Sequence, residues 1–509
     1  MHETRPNIVL ICCDDIGFNE IGIYQGKGMP DRDVFKRERV HTPHIDSIGR
    51  DGAVFSRYYA TSAICTPSRY SILTGRLASR SPSIMEKFPP PMQAAVTWNT
   101  KIDSEEGNIG NVFKSFGYAT GYVGKWHNQV PPADLPPEIM KADDPYDPEF
   151  KRIVNEAYEK RADYLRNGFG FDYVDRLYYG NREGFPAPLQ VHNLEWITEG
   201  AVNFIGANKD NPFFLYMAFS TPHGDHFTSF AEQDPLITPA GVLDTKPESG
   251  MPSRKELPAR LKKAGVSEKT GMSTWMDDSV GAVLARLDEY GLRDNTIVMF
   301  TCDHLARGKY MCYEGCRVPF LICWPGKIAA NTEINSLCSN IDLVSTLAEC
   351  ADGTVPQGYV TDGASFAPLA ADPDTDHEWR DHLFLECSNI RGVVTDTWKY
   401  IACRASQDIL DAIEQDRREA EQEKRKRWVG WDGRKNPHAG FEKEGVRYFA
   451  AGEFPHYFDP DQLYNLEQDP FEQNNLISDP AYADTVKNLQ SLLKEELEKL
   501  PHSFGEFTE

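Results

Sequence analysis

Four strand-like runs stand out along the chain, and each closes in polar residues. Asn7–Cys13 ends in Asp14-Asp15-Ile16-Gly17, and the run after Gly117 ends in Lys125-Trp126-His127. Pro212–Ser220 ends in Thr221-Pro222-His223-Gly224-Asp225-His226, and Asn295–Cys302 ends in Asp303-His304. Apolar runs without polar alternation suit strands buried on both faces, as in a parallel sheet. Between them lie helical patterns over 108–116 and near 268–290, while 41–56 reads as an amphipathic helix turning into a strand. Strands alternating with helices predict an α/β sandwich with a large, mixed, mostly parallel sheet.

Beyond about residue 378 the pattern changes. Arg391–Val394, Trp398–Ala402 and Asp461–Leu466 read as short strands of a small antiparallel sheet, with a helix near 481–499 closing the chain. The expected division is a catalytic part over 1–378 and a C-terminal subdomain over 379–509. The Pro- and charge-rich stretch 131–190 reads as an insertion over the active face. Its Tyr178, Tyr179 and Phe185 could stack on a sugar or cover the core, and the second reading is preferred. The mixed-charge helix over 408–428 reads as a solvated face. The aromatic-rich stretch 429–457 suits either a specificity loop or an oligomer contact.

Composition narrows the function. The chain has 509 residues, enough for two cores, and 40% hydrophobic content. A formal net charge of -23 argues against nucleic acid or an anionic membrane as the main partner. An anionic substrate would therefore need a locally basic pocket. The 11 cysteines show no tight disulfide spacing, and Cys312 and Cys316 are too isolated to suggest zinc. No apolar run reaches membrane-spanning length. A reduced cytoplasmic protein is the expectation. A periplasmic or secreted chain whose leader had been removed would read the same way.

The chemistry centres on Cys65-Thr66-Pro67-Ser68-Arg69. Pro67 suits a helix's first turn, so Cys65 should sit just ahead of a helix N-terminus, where negative charge is favoured. Arg69, one turn on, adds a permanent cation. Read alone, Cys65 is either a small buried hydrophobe or a low-pKa nucleophile. Asp14-Asp15 is either a solvated turn or a pair of carboxylates awaiting a cation, since ligands gather at the carboxyl ends of strands. His127 alone is more simply a structural histidine. Asp303 and His304 could close a cation site begun by Asp14 and Asp15. Oxygen-rich ligation with one nitrogen favours Ca2+, with Mg2+ or Mn2+ as alternatives and zinc disfavoured.

Cys-x-Pro-Ser-Arg followed by Thr74-Gly75-Arg76 resembles the signature of the type I sulfatases of the alkaline phosphatase superfamily, and Gly124-Lys125-Trp126-His127 resembles their second signature. The likeness extends through Tyr313-Glu314-Gly315 and Asp469-Pro470-Phe471-Glu472. It implies an alkaline-phosphatase-like sandwich and hydrolysis of a sulfate monoester, with a sulfated sugar as the expected substrate. It also implies that a maturation enzyme converts Cys65 to formylglycine, whose hydrate is the nucleophile. By the same likeness Asp14, Asp15, Cys65, Asp303 and His304 hold the metal. Arg69, Lys125 and Lys309 neutralise charge, His223 protonates the leaving oxygen, and His127 takes the proton that lets the aldehyde re-form. His226 is a competing substrate contact beside His223. Leu305 departs from the family's usual glycine, which leaves the loop bearing Lys309 uncertain in shape. The rival readings are a phosphonate or phosphate ester hydrolase of the same superfamily and a non-catalytic carbohydrate-binding relative.

Overall fold

The computed structural model describes residues 5–27, 38–129, 135–223, 230–305, 311, 314–351, 353–373, 377–424 and 456–507. Its centre is an eight-stranded sheet built from β1 (Asn7–Cys13), β2 (Ala53–Phe55), β3 (Ala119–Lys125), β4 (Tyr173–Tyr178), β5 (Phe213–Ala218), β6 (Thr296–Cys302), β7 (Phe320–Cys323) and β8 (Thr332–Ile334). The strand order is β8-β2-β7-β6-β1-β5-β3-β4. Neighbours from β6 through β4 pair in parallel, and β7 alone runs antiparallel to both its neighbours. All seven residues of β1 are buried, as a central strand covered on both faces requires.

Helices cover both faces. α1 (Pro43–Arg50), α5 (Leu194–Ala207) and α6 (Gly271–Glu289) pack together on one side. On the other lie α2 (Cys65–Thr74), α3 (Ile109–Ser115) and α7 (Leu343–Cys350). The expected insertion over 131–190 is partly core instead. It forms the long helix α4 (Pro148–Gly168) and then β4, which pairs with β3 as the edge strand of the main sheet. Tyr178 and Phe185 are fully buried there, so they cover the core.

The second sheet is antiparallel, in the order β9 (His382–Cys387), β10 (Ile390–Thr395), β11 (Trp398–Cys403) and β12 (Asp461–Asn465). β9 was not anticipated, and it pairs along its whole length with β10. The amphipathic α9 (Ala483–Glu498) packs on β10 and β11. The mixed-charge helix α8 (Gln407–Glu423) carries the expected side-chain pairs, such as Arg417 with Glu414 and Glu421. No described helix is long and apolar enough to cross a membrane. The aromatic-rich stretch 429–457 lies almost wholly outside the described residues.

One glycine ties the sheet to the chemistry at its edge. Gly124 has φ +95, and a Cβ there would stand 1.8 Å from the Ala218 carbonyl oxygen of β5. The register of β3 against β4 also shifts at this point, as at a bulge that re-aims the next side chain. Gly124→Ala should therefore destabilise the protein by about 3 kcal/mol or more. A lowered thermal unfolding midpoint checks this, and an unchanged one contradicts it.

Candidate active site

Five adjacent parallel strands deliver polar residues to one end of the sheet. Asp14 and Asp15 follow β1, and Asp303 and His304 follow β6, whose Cys302 lies beside Cys13 in the register. His223 follows β5, Lys125 and His127 come from the end of β3, and Asn181 follows β4. Backbone bonds stitch these ends together: the Asp14 N–H donates to the Thr221 carbonyl at 3.0 Å, and the Asp303 N–H to the Cys13 carbonyl at 3.2 Å.

Cys65 comes to the same place on a helix rather than a strand. α2 begins at Cys65 itself, after Ile64 in extended conformation, and ends at Gly75 in the left-handed region. Pro67 thus sits in the first turn, where its missing N–H leaves nothing unsatisfied. All ten residues of α2 are buried. The helix start is pinned from two sides. Asn128 Nδ2 donates to the Thr66 carbonyl at 2.9 Å, and Asn340 Nδ2 donates to Ser68 Oγ at 2.9 Å.

Asp14, Asp15, Cys65 and His304 converge so that one ligand atom from each lies within 4.8 Å of all the others. Ligands around a Ca2+-sized ion at about 2.3–2.6 Å can stand no more than about 5 Å apart, so the cluster has the right scale. The histidine's orientation sharpens the fit. His304 Nδ1 lies 3.0 Å from the Leu305 carbonyl oxygen, which can only accept, so Nδ1 carries the hydrogen. That turns the Nε2 lone pair toward Asp15 Oδ1 at 2.8 Å and Cys65 Sγ at 3.1 Å. A lone pair facing a carboxylate is repulsive unless a cation or a proton lies between them. The donor set therefore fits a divalent metal.

Asp303 stands beside this quartet. Its Oδ2 accepts from Arg69 Nε at 3.0 Å, and its Oδ1 accepts the backbone N–H groups of His304 at 2.9 Å and Asp15 at 3.3 Å. Arg69 is 1% exposed, and its guanidinium also reaches the Lys125 carbonyl at 3.2 Å and Asp14 Oδ1 at 3.7 Å. It ties three strand ends together beneath the cluster. Its charge is balanced by Asp303 and Asp14, which hold the guanidinium firmly protonated despite burial.

Lys125 is equally buried, and its ammonium donates to Asp14 and, at 2.6 Å, to Asn181 Oδ1. Sequence reasoning did not select Asn181. Its place just after a buried strand, in the pair Gly180-Asn181, is the signal that could have found it. His127 is in the left-handed region at φ 56. Burial first and the Lys125 charge second push its pKa well below the usual histidine value, so the ring is neutral. His223 Nε2 lies 3.8 Å from Asp15 Oδ2. Lys309 and His226 lie outside the described residues.

A cluster of acids, imidazoles and cations at the strand ends, with Cys65 at a helix start, suits an α/β-fold enzyme that uses a metal ion. Comparison with known proteins gives the family. Residues 6–354 match the Sulfatase family model, and residues 305–426 match the model of the N-sulphoglucosamine sulphohydrolase C-terminal region. The chain is 24% identical to an N-acetylgalactosamine-6-O-sulfatase of Bacteroides thetaiotaomicron, over 97% of this chain and 93% of that one. It is 27% identical to human arylsulfatase A, over 97% and 88% of the two chains. A solved structure from Bacteroides thetaiotaomicron glycosaminoglycan metabolism shares the fold with TM-score 0.62 at 21% identity, covering 97% of this chain and 99% of that one. The chain belongs to the sulfatase family and is a sulfuric ester hydrolase. Family membership implies a metal and a formylglycine at the cysteine position, and the buried cluster fits both.

If Asp14, Asp15, Cys65 and His304 share one ion, Asp15→Asn should weaken divalent-ion binding by more than the roughly 10–100-fold typical of changes around a metal's ligands. Titration calorimetry with Ca2+ measures this directly. Wild-type affinity in the variant would remove Asp15 from the ligand set.

Proposed function

We propose that this enzyme removes sulfate from a sulfated carbohydrate, with formylglycine derived from Cys65 by a maturation enzyme as the nucleophile and Ca2+ as the metal. The observation that carries the reading is the four-ligand cluster at the start of α2, with the Lys125 ammonium fixed on Asp14 beside it. The substrate class is supported by the relatives, which include the N-acetylgalactosamine-6-O-sulfatase and an ulvan-active sulfatase of Formosa agariphila at 24% identity. Conversion of Cys65 also makes chemical sense of the donors. It replaces a soft sulfur with oxygen, leaving an oxygen-rich set with one imidazole nitrogen, which suits Ca2+ better than zinc.

Asp14, Asp15, Cys65 and His304 would hold the ion, with Asp303 completing their surroundings. A divalent cation there supplies Lewis acidity toward the hydroxyl nucleophile and the sulfuryl oxygens. The chain's own residues do the rest. Lys125, two of whose three N–H groups are taken by Asp14 and Asn181, directs the third toward an anionic group in the site. Arg69 holds Asp303 and Asp14 in place, so its contribution is to hold the acids rather than to touch the ester. His223, partly exposed at the rim beside Asp15, is placed to give a proton to the departing alcohol oxygen. His127, held neutral by burial and Lys125, is competent to accept one when the aldehyde re-forms.

Cys65→Ala should lower kcat by more than about a thousandfold while leaving the fold intact. Cys65→Ser should do the same unless the host converts serine. Sulfate release from defined sulfated mono- and oligosaccharides, measured beside an aryl phosphodiester, tests the substrate class. Turnover of the phosphodiester alone, or full activity of unconverted Cys65 protein, would overturn the reading.

A further inference from the structure

One buried ionisable cluster has no part in the chemistry above. Lys399 on β11 is fully buried, and its Nζ donates to Glu472 Oε1 and to the Met311 carbonyl, both at 2.7 Å. Glu472 Oε1 also accepts the backbone N–H of Glu314 at 3.3 Å. The Glu314 and Glu472 side chains are both buried, and Glu472 is the one paired with Lys399. Arg317 Nη1 stands 3.7 Å from Glu314, and Tyr59, Cys316 and Cys387 are the other titratable groups around the cluster. Neither Glu314 carboxylate oxygen accepts a hydrogen bond from an amide, hydroxyl or cationic N–H among the described residues. Burial, and then the Glu314 charge against the opposing pull of Lys399, push Glu472 up to about 8.

The corner that this cluster grips touches both halves of the active site. Glu314 is in the left-handed region at φ 59, a conformation that persists only where surrounding contacts impose it. The next carbonyl, of Gly315, accepts the N–H of Leu305, the residue after His304, at 3.2 Å. The Cys316 carbonyl accepts the Ala60 N–H at 2.7 Å, on the segment leading to Cys65. Arg317 Nε donates to the Ser56 carbonyl at 2.9 Å.

We propose that Glu472 is a positioning residue for the sulfatase site. Held by Lys399, it accepts the Glu314 N–H and so fixes the 314–317 corner, to which the backbone beside His304 and the approach to Cys65 are both hydrogen-bonded. The proposal rests on the sulfate-ester reading of that site. Glu472 stays protonated at lower pH, so the corner is held without a second buried charge there, and that stability is lost as pH rises through about 8. Above that, two adjacent buried carboxylates repel each other and the corner loosens.

The test compares wild type, Glu472→Gln and Glu472→Ala from neutral to alkaline pH, with rates expressed per mole of formylglycine counted by peptide mass spectrometry. Gln keeps the acceptor for Lys399 and for the Glu314 N–H and cannot ionise. Glu472→Gln should therefore retain neutral-pH kcat and lose the alkaline decline that wild type shows near pH 8. Glu472→Ala should lose kcat on the order of tenfold to a hundredfold with KM within about twofold. Wild type without an alkaline decline, a decline unchanged in Glu472→Gln, or Glu472→Ala with wild-type kcat would each overturn the proposal. If Glu472→Ala does not fold, the Glu472→Gln profile decides. If wild type releases no sulfate, the functional reading fails separately. Ca2+ affinity by calorimetry then decides, with equal affinity in wild type and Glu472→Ala overturning the positioning role.

Discussion

Two adjacent carboxylates held out of water at the end of β1 set the terms for everything around them. Asp14 and Asp15 are 0% and 2% exposed. Desolvating each ion costs several kcal/mol, and their mutual repulsion adds to that in a region of low dielectric. The surroundings answer this charge. Lys125 and Arg69 reach Asp14, His304 and His223 approach Asp15, and the Asp15 backbone donates to Asp303. Three buried acids facing two permanent cations leave a negative remainder, which is what a dication offsets. The pair is unfavourable in isolation and becomes sensible only as half of a binding site.

The sheet makes that arrangement affordable in sequence terms. Residues separated by nearly 300 positions, such as Asp15 and Asp303, meet because β1 and β6 run side by side in the same direction. Each strand contributes one or two groups at its carboxyl end, so no single loop has to carry the whole site. α2 supplies the remaining position from the far side, and its rigidity comes from burial on every face. The C-terminal sheet contributes too, since Lys399 and Glu472 reach the corner next to the His304 loop.

Much of this was legible in the sequence because buried parallel strands write themselves as unbroken apolar runs. β1, β5 and β6 were visible in that way, and the polar residues after them marked the site's end of the sheet. The limits are equally physical. β4 lies at the sheet edge with half-buried polar positions, so its run Tyr173–Tyr178 lacked the signature and was absorbed into an expected insertion. β9 lies in the smaller sheet, and its pairing with β10 is a non-local fact that a short run cannot announce. The direction of Arg69 was not legible: its fork is turned to Asp303 and two strand-end carbonyls, and a side chain's direction depends on distant partners. Asn181 was missed for a similar reason, since an asparagine after Gly180 reads as a turn until Lys125 is seen against it.

The complete burial of α2 bears on the proposed conversion of Cys65. Cys65 has no solvent-accessible surface, and the helix it opens is walled in by Asn128, Asn340 and the strand ends. No macromolecular oxidant can touch that sulfur once the chain has collapsed around it. On the proposed conversion, the cysteine would be altered while the segment is still extended, and folding would close the window. Chains that folded first would stay unconverted, so the active fraction of any preparation would record a race that ended before the protein was purified.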